Sequence, residues 1–203
     1  TKVKGRFLEL VFVEPIEQLL YLASTQIDAS RTMQNDDFVI DSLASLAKKT
    51  GFVSQNFSEA TAQALAPLEP FAAYVITQAI QRYGQNERSL FSFLNARGRN
   101  SLSEYEGKIY QLQCCYDYIY YNFYSYLKEA NADSMQWSSM QVAIERVEGQ
   151  LWDTKTDLVD AIKLVKAIGL LNLFGNASFK MSREDTALYA KTALNIDNPT
   201  GLL

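Results

Sequence analysis

The chain of 203 residues contains no histidine. That absence excludes His-based catalytic triads and the usual zinc sites, and no other cluster with metal-ligand spacing stands in for them. Cysteine is nearly missing as well, since Cys114 and Cys115 are the only two and lie side by side in a helical pattern. Adjacent cysteines build no disulfide framework. They read as small apolar groups of a core and fit the reducing compartment of a cytoplasmic protein. No apolar run is long enough to span a bilayer, and no basic-then-apolar leader is present, so no membrane partner is expected. Charge of one sign is missing too: 19 basic residues face 23 acidic ones. Bulk attraction to nucleic acid or to an acidic membrane is therefore not expected, although a local basic face stays open.

What the chain does have is a succession of apolar stripes at helical spacing. Ile16, Leu19, Leu20, Ala23 and Ile27 form one, followed by a polar stretch over 28–36. Asp36 or Asp37 caps the next helix, which carries Ile40, Leu43, Ala44 and Ala47 and stops at Gly51. A short helix near Ser58–Ala66 leads to Pro67 and Pro70, then to a helix bearing Phe71, Ala72, Val75, Ile76, Ala79, Ile80 and Tyr83. Ser101 with Glu104 resembles a capping box that restarts helix. The run Tyr105–Leu127 is aromatic on nearly every side, with no cation after Lys108, and reads as the central buried helix. Trp137, Met140, Ile144, Val147 and Leu151 mark another helix, and Lys155–Phe174 a long one with Leu158, Ile162, Val165, Ile168 and Leu171 on its stripe. Ser182 with Asp185 caps a further helix to about Leu194, and Asn198-Pro199 opens the next. Only Arg6–Val13, rich in Phe, Val and Leu, reads as a strand.

The expected fold is mainly α: a multi-helix bundle with one N-terminal β-like segment and a C-terminal winged-helix-like beginning. The last reading rests on order alone, a long helix, a tight connection, a shorter helix and a capped third, which three-helix packing without DNA satisfies equally. The chain begins at Thr1 without Met and stops where a helix opens, so a fragment of something longer is expected.

The stretch Gly84–Leu94 concentrates the functional reading. Gly84 ends one helix, where a positive φ is expected, and Leu90, Phe93 and Leu94 begin another. Arg88 thus falls in a first turn, where the helix end disfavours a cation and favours an anion. An arginine there is most useful when it shares a phosphate with the helix terminus. On spacing alone, a surface arginine paired with Glu87 or another acid is the preferred account.

Gly84-x-x-x-Arg88-x-Leu90-x-x-x-Leu94 is similar to the sensor-2 helix of AAA+ ATPases. Gly5-Arg6-Phe7, the apolar run to Val13 and Pro15 resemble the end of an AAA+ core, where an arginine precedes the last strand and a proline opens the helical lid. The order of these motifs, followed by Leu164–Gly175, resembles the middle of large bacterial P-loop ATPases. The resemblance implies a lid-like region over 1–100, a helical extension over 101–153 and a truncated winged-helix-like segment over 154–203. It implies that Arg88 contacts the γ-phosphate of ATP, with Asn86 and Glu87 capping the helix and orienting it. It also implies that Arg6 is an arginine finger toward a neighbouring subunit, hence a homo-oligomer.

The phosphate cradle GxxxxGK[ST] and an acidic Mg²⁺ site are missing. ATP and Mg²⁺ thus belong to the intact protein, whose ATPase core would lie upstream in the same polypeptide, and the fragment alone is not expected to be catalytic. Two rival readings stand beside this one. One is a helical interaction or scaffold domain without a nucleotide role. The other is a winged-helix DNA-binding module with a basic face around Arg97, Arg99, Lys180 and Arg183, its DNA or protein partner held by the C-terminal segment.

Overall fold

The computed structural model describes residues 15–27, 37–84, 87–129 and 132–203. These form α1 (Ile16–Gln26), α2 (Asp37–Lys49), α3 (Glu59–Ala64), α4 (Pro70–Tyr83), α5 (Glu87–Asn95), α6 (Leu112–Asn122), α7 (Tyr124–Lys128), α8 (Ser134–Glu148), α9 (Lys155–Phe174), α10 (Arg183–Thr192) and α11 (Pro199–Leu202), with a 3-10 turn at Leu102–Glu104. No β-strand occurs among the described residues, where Leu68 and Tyr110 form an isolated parallel bridge. The expected strand Arg6–Val13 lies outside them. Helical bundle is the architecture. No helix among the described residues is long and apolar enough to cross a membrane.

The central helix is α4, not the tyrosine-rich run. Pro70 supplies a preset φ at its first position, and the Glu69 side chain caps it by accepting the Phe71 N–H at 2.8 Å. Its apolar residues lie on all sides, with Phe71, Ala72, Ala73, Val75, Ile76, Ala79 and Ile80 buried. A helix buried all round needs neighbours all round. It has them in α1, α2, α5, α6 and α9.

The expected continuous helix over Tyr105–Leu127 is replaced by an irregular segment, α6, a break at Phe123 (φ −114°, ψ 17°) and α7. Rings on every side leave no single face to bury, and a buried phenol needs a partner for its hydroxyl. Tyr110 meets both demands from extended backbone. Its ring is fully buried, its N–H donates to Pro67 O at 2.7 Å, and its hydroxyl donates to the Asn100 carbonyl. Tyr116 and Tyr118 are buried on α6, whereas Tyr121, Tyr124 and Tyr126 are exposed. Cys115 is buried and Cys114 half-buried, both free thiols.

Helix α9 spans Lys155–Phe174 as its pattern predicts, with Thr154 accepting the Asp157 N–H at 3.1 Å. Its most buried face is displaced from the expected stripe to Ala161, Leu164, Ala167, Leu170, Leu171 and Phe174. The helix lies between α8 and α6, so Leu158, Ile162, Val165 and Ile168 are half-covered. Small residues permit this: a Cβ at Gly169 would meet Met140 Sδ of α8 at 2.3 Å. The expected stripe on α8 keeps Trp137, Met140 and Ile144 buried, but the helix ends before Leu151, which is fully exposed. The capping box of α10 forms as expected, Ser182 Oγ accepting the Asp185 N–H at 3.1 Å. That of Ser101 does not form a side-chain cap, and only a 3-10 turn follows. One apolar cluster runs from Leu19 to Ile196, through the proposed lid, extension and C-terminal segments alike.

Gly84 closes α4 for a reason other than the expected positive φ. Its backbone is extended (φ −108°, ψ −160°), a conformation open to any residue. Space decides instead: a Cβ there would lie 2.7 Å from Ser89 Oγ and 2.8 Å from Ile80 O. Gly84→Ala gains about 0.4–1 kcal/mol from a stiffer unfolded chain. Overpacking costs about 1–3 kcal/mol. The overlap wins, and net destabilisation is expected in urea unfolding; a neutral or stabilised variant would show that the α4–α5 corner relaxes freely.

Candidate functional site

Helix α5 has a buried and an open face. Leu90, Phe93 and Leu94 are buried against α1, α4 and the 3-10 turn. The opposite face, Arg88, Phe91, Ser92, Asn95 and Ala96, lines an open depression of 590 Å³. Arg88 is the second residue of the helix and exposed, and its carbonyl accepts the Ser92 hydroxyl at 2.9 Å. The α-helical N–H groups of this first turn have no intrahelical acceptor, so anions are favoured here and the guanidinium gains nothing from the helix itself. Among the residues whose side chains are described, which leave out Glu87, no carboxylate pairs with Arg88. The depression is chemically able to take an oxyanion in a bidentate grip.

Of the other residues read as functional, Arg6 and Asn86 lie outside the described residues. Glu87 is described only as the first residue of α5. Arg97, Arg99, Lys180 and Arg183 are all exposed. Arg99 lies over the Tyr121 ring at 4.7 Å, and Arg183 donates to the Thr200 carbonyl at 3.5 Å.

Two polar clusters escaped the sequence reading. At the end of α4, Arg82 reaches across to the end of α9: it donates to Leu173 O at 3.3 Å, pairs with Asp133 at 3.5 Å and lies over the Phe174 ring at 4.8 Å. The C-terminal carbonyls of a helix favour a cation at that place. Gln78 donates to Phe174 O at 3.1 Å, and Tyr83 donates to Asp133 at 2.7 Å while accepting Trp137 Nε1–H at 3.2 Å. These bonds tie α4 to α8 and α9.

The second cluster is the buried carboxyl of Glu69. It accepts from Phe71 N and from the Tyr189 hydroxyl, each at 2.8 Å. Burial pushes its pKa up to about 8, against the lowering effect of those two bonds. The same burial raises the Tyr189 phenol and the Cys115 thiol, so the cluster is neutral at physiological pH. Its sequence signal was available: Glu69 is the only charged residue between Glu59 and Arg82, and it stands between Pro67-Leu68 and Pro70.

No family model, no curated protein and no solved structure matches this chain.

Proposed function

We propose that the chain is the helical lid and extension of an AAA+-like ATPase, with Arg88 as the residue that senses bound nucleotide. The single observation that carries this reading is an exposed arginine in the first turn of α5, at an open depression, one glycine-closed corner from the central helix. A phosphoryl group gathers negative charge that a guanidinium holds in place. The P-loop and the Mg²⁺ ligands come from an upstream core, and this chain contributes the arginine and the moving body. Movement of α5 is passed to α4, which it packs against, and from α4 through Arg82 and Gln78 to the end of α9. The C-terminal segment, read as the start of a winged-helix-like element, then receives the movement and presents a partner surface.

The test is ATP hydrolysis by the full-length gene product. Arg88→Ala should lower turnover about ten-fold or more, with helix content unchanged, because an interaction with transferring phosphate oxygens is lost. Unchanged turnover would remove the sensor role. A helical interaction domain is the second reading. It is favoured by the apolar groove of 590 Å³ between α2 and α10, where Phe38 is 81 % and Leu188 48 % exposed.

A further inference from the structure

Tyrosines of α6 and α7 form a row that leads from the core, at the buried Tyr116, to the surface. Tyr116, Tyr120 and Tyr124 follow at intervals of four, and their rings contact one another in sequence. Tyr116 and Tyr120 are parallel within 5° at 5.9 Å, and Tyr120 meets Tyr124 edge-on at 5.4 Å. Tyr121 follows Tyr120 in the chain. Inward, the row is anchored by Trp137 against Tyr116 at 5.4 Å, and by Gln141, which donates to the Tyr116 hydroxyl. Outward, it ends in solvent at Tyr124, 40 % exposed, and Tyr121 is 55 % exposed.

The sequence shows no cation among these tyrosines, but the fold delivers three. Arg99 arrives from the loop after α5 and sits over Tyr121 at 4.7 Å, that loop being held by the Asn122 amide at Arg99 O (3.5 Å). Lys128, a turn beyond Tyr124, lies over its ring at 4.5 Å. Lys166 of α9 lies over Tyr116 at 5.2 Å and neutralises Asp117 at 2.6 Å. Glu129 beside Lys128 is the acidic neighbour in sequence.

We infer that this face is a binding platform for single-stranded nucleic acid. Aromatic rings offer π-faces on which any unpaired base stacks, and flanking guanidinium and ammonium groups take the phosphates. A guanidinium over a ring also offers a plane on which a base can stack. Duplex bases keep their faces hidden in their own stack, so the partner is single-stranded. This platform is separate from the Arg88 depression and does not depend on the nucleotide-sensing reading.

The experiment is fluorescence anisotropy of labelled 20-nucleotide oligothymidylate and oligouridylate with the 203-residue chain at low salt, with heparin as a base-free competitor. Saturable binding of either strand, resistant to heparin at equal charge, is expected, and the tighter strand identifies DNA or RNA. Tyr121→Ala and Tyr124→Ala should each weaken it about five-fold or more, while the Phe variants at both positions retain it, since stacking needs the ring and not the hydroxyl. Arg99→Ala and Lys128→Ala should each flatten the salt dependence by about 0.7 in log–log slope. No binding at low salt, binding indifferent to both tyrosines, or displacement by heparin alone would overturn the inference. The substituted residues are exposed, so circular dichroism should be unchanged.

Discussion

Glu69→Gln is expected to leave the protein about as stable as wild type at pH 5 and markedly more stable at pH 8. The carboxyl has an ordinary value of 4.5 and is held at about 8 in the fold, because burial of the charged form outweighs everything that favours it. What favours the carboxylate is considerable: a donated hydrogen bond from Phe71 N, another from Tyr189 and the N-terminus of α4. Bonds to a charged group are each worth about 1.5–3 kcal/mol. Removing a carboxylate from water altogether costs more. The sign follows from proton counting. Between pH 4.5 and 8 the unfolded chain has released this proton and the folded chain has kept it, so stability falls as pH rises. Below 4.5 both states hold the proton and the full stability is present; above about 8 the loss is complete. The slope within the window is about 1.4 kcal/mol per pH unit.

Glutamine imitates the protonated acid. Its carbonyl accepts the Phe71 N–H, and its amide meets the Tyr189 oxygen. The variant therefore removes the titration while keeping the shape. Urea unfolding of both proteins at half-unit steps from pH 4.5 to 8 should show curves that diverge steadily. Parallel curves would mean that water reaches the Glu69 carboxyl in the folded protein. Asp185, whose carboxyl the Lys49 ammonium holds below its usual range, titrates lower and cancels in the comparison.

The sequence made some of this structure legible and hid the rest for identifiable reasons. Local signals carried through at the Ser182–Asp185 capping box and at Pro70 at the head of α4, but not at Ser101, where no side-chain cap forms. Choosing the central helix needed more. Tyr105–Leu127 has the greater aromatic content, but each phenol needs a hydroxyl partner, whereas Val75, Ile76, Ala79 and Ile80 bury without one. The most buried face of α9 was misjudged because Ala161 and Ala167 look unimportant in a stripe of large residues. Small side chains let a neighbour approach, as Met140 does at Gly169. The cations on the tyrosines were invisible because Arg99 and Lys166 reach them across 22 and 50 residues of chain, respectively. Arg88 is different in kind. Its exposure on α5 is structural, whereas its role follows from the resemblance of Gly84-x-x-x-Arg88-x-Leu90-x-x-x-Leu94, all of whose named positions are described; the second arginine motif, around Arg6, lies outside the described residues.

Phe52→Ala is expected to destabilise the protein by about 3–5 kcal/mol, the range for removing a fully buried phenyl. The ring is wholly enclosed and touches three others, Phe71 at 5.1 Å, Tyr74 at 5.3 Å and Phe179 at 5.0 Å. Two of these lie on α4 and the third on the connection between α9 and α10. The backbone on either side fixes Phe52 in that position. Gly51 takes the positive φ of 71° that ends α2, and a Cβ there would strike Ser178 O at 2.8 Å. Lys180 N donates to Thr50 O at 2.9 Å, and the Asn176 amide donates to Gly51 O at 3.0 Å. With the phenyl gone, these two bonds hold the 176–180 loop against the end of α2 with less apolar support, and each is worth only about 1 kcal/mol. Amide exchange at Phe179 and Lys180 should therefore accelerate more than that at Ala167 and Leu171 inside α9. Phe52→Leu, which refills part of the volume, should recover a part of the loss. A destabilisation below about 1 kcal/mol would mean that the cavity collapses. The contact between the α4 region and the α9–α10 connection would then be too compliant to transmit a displacement of α5.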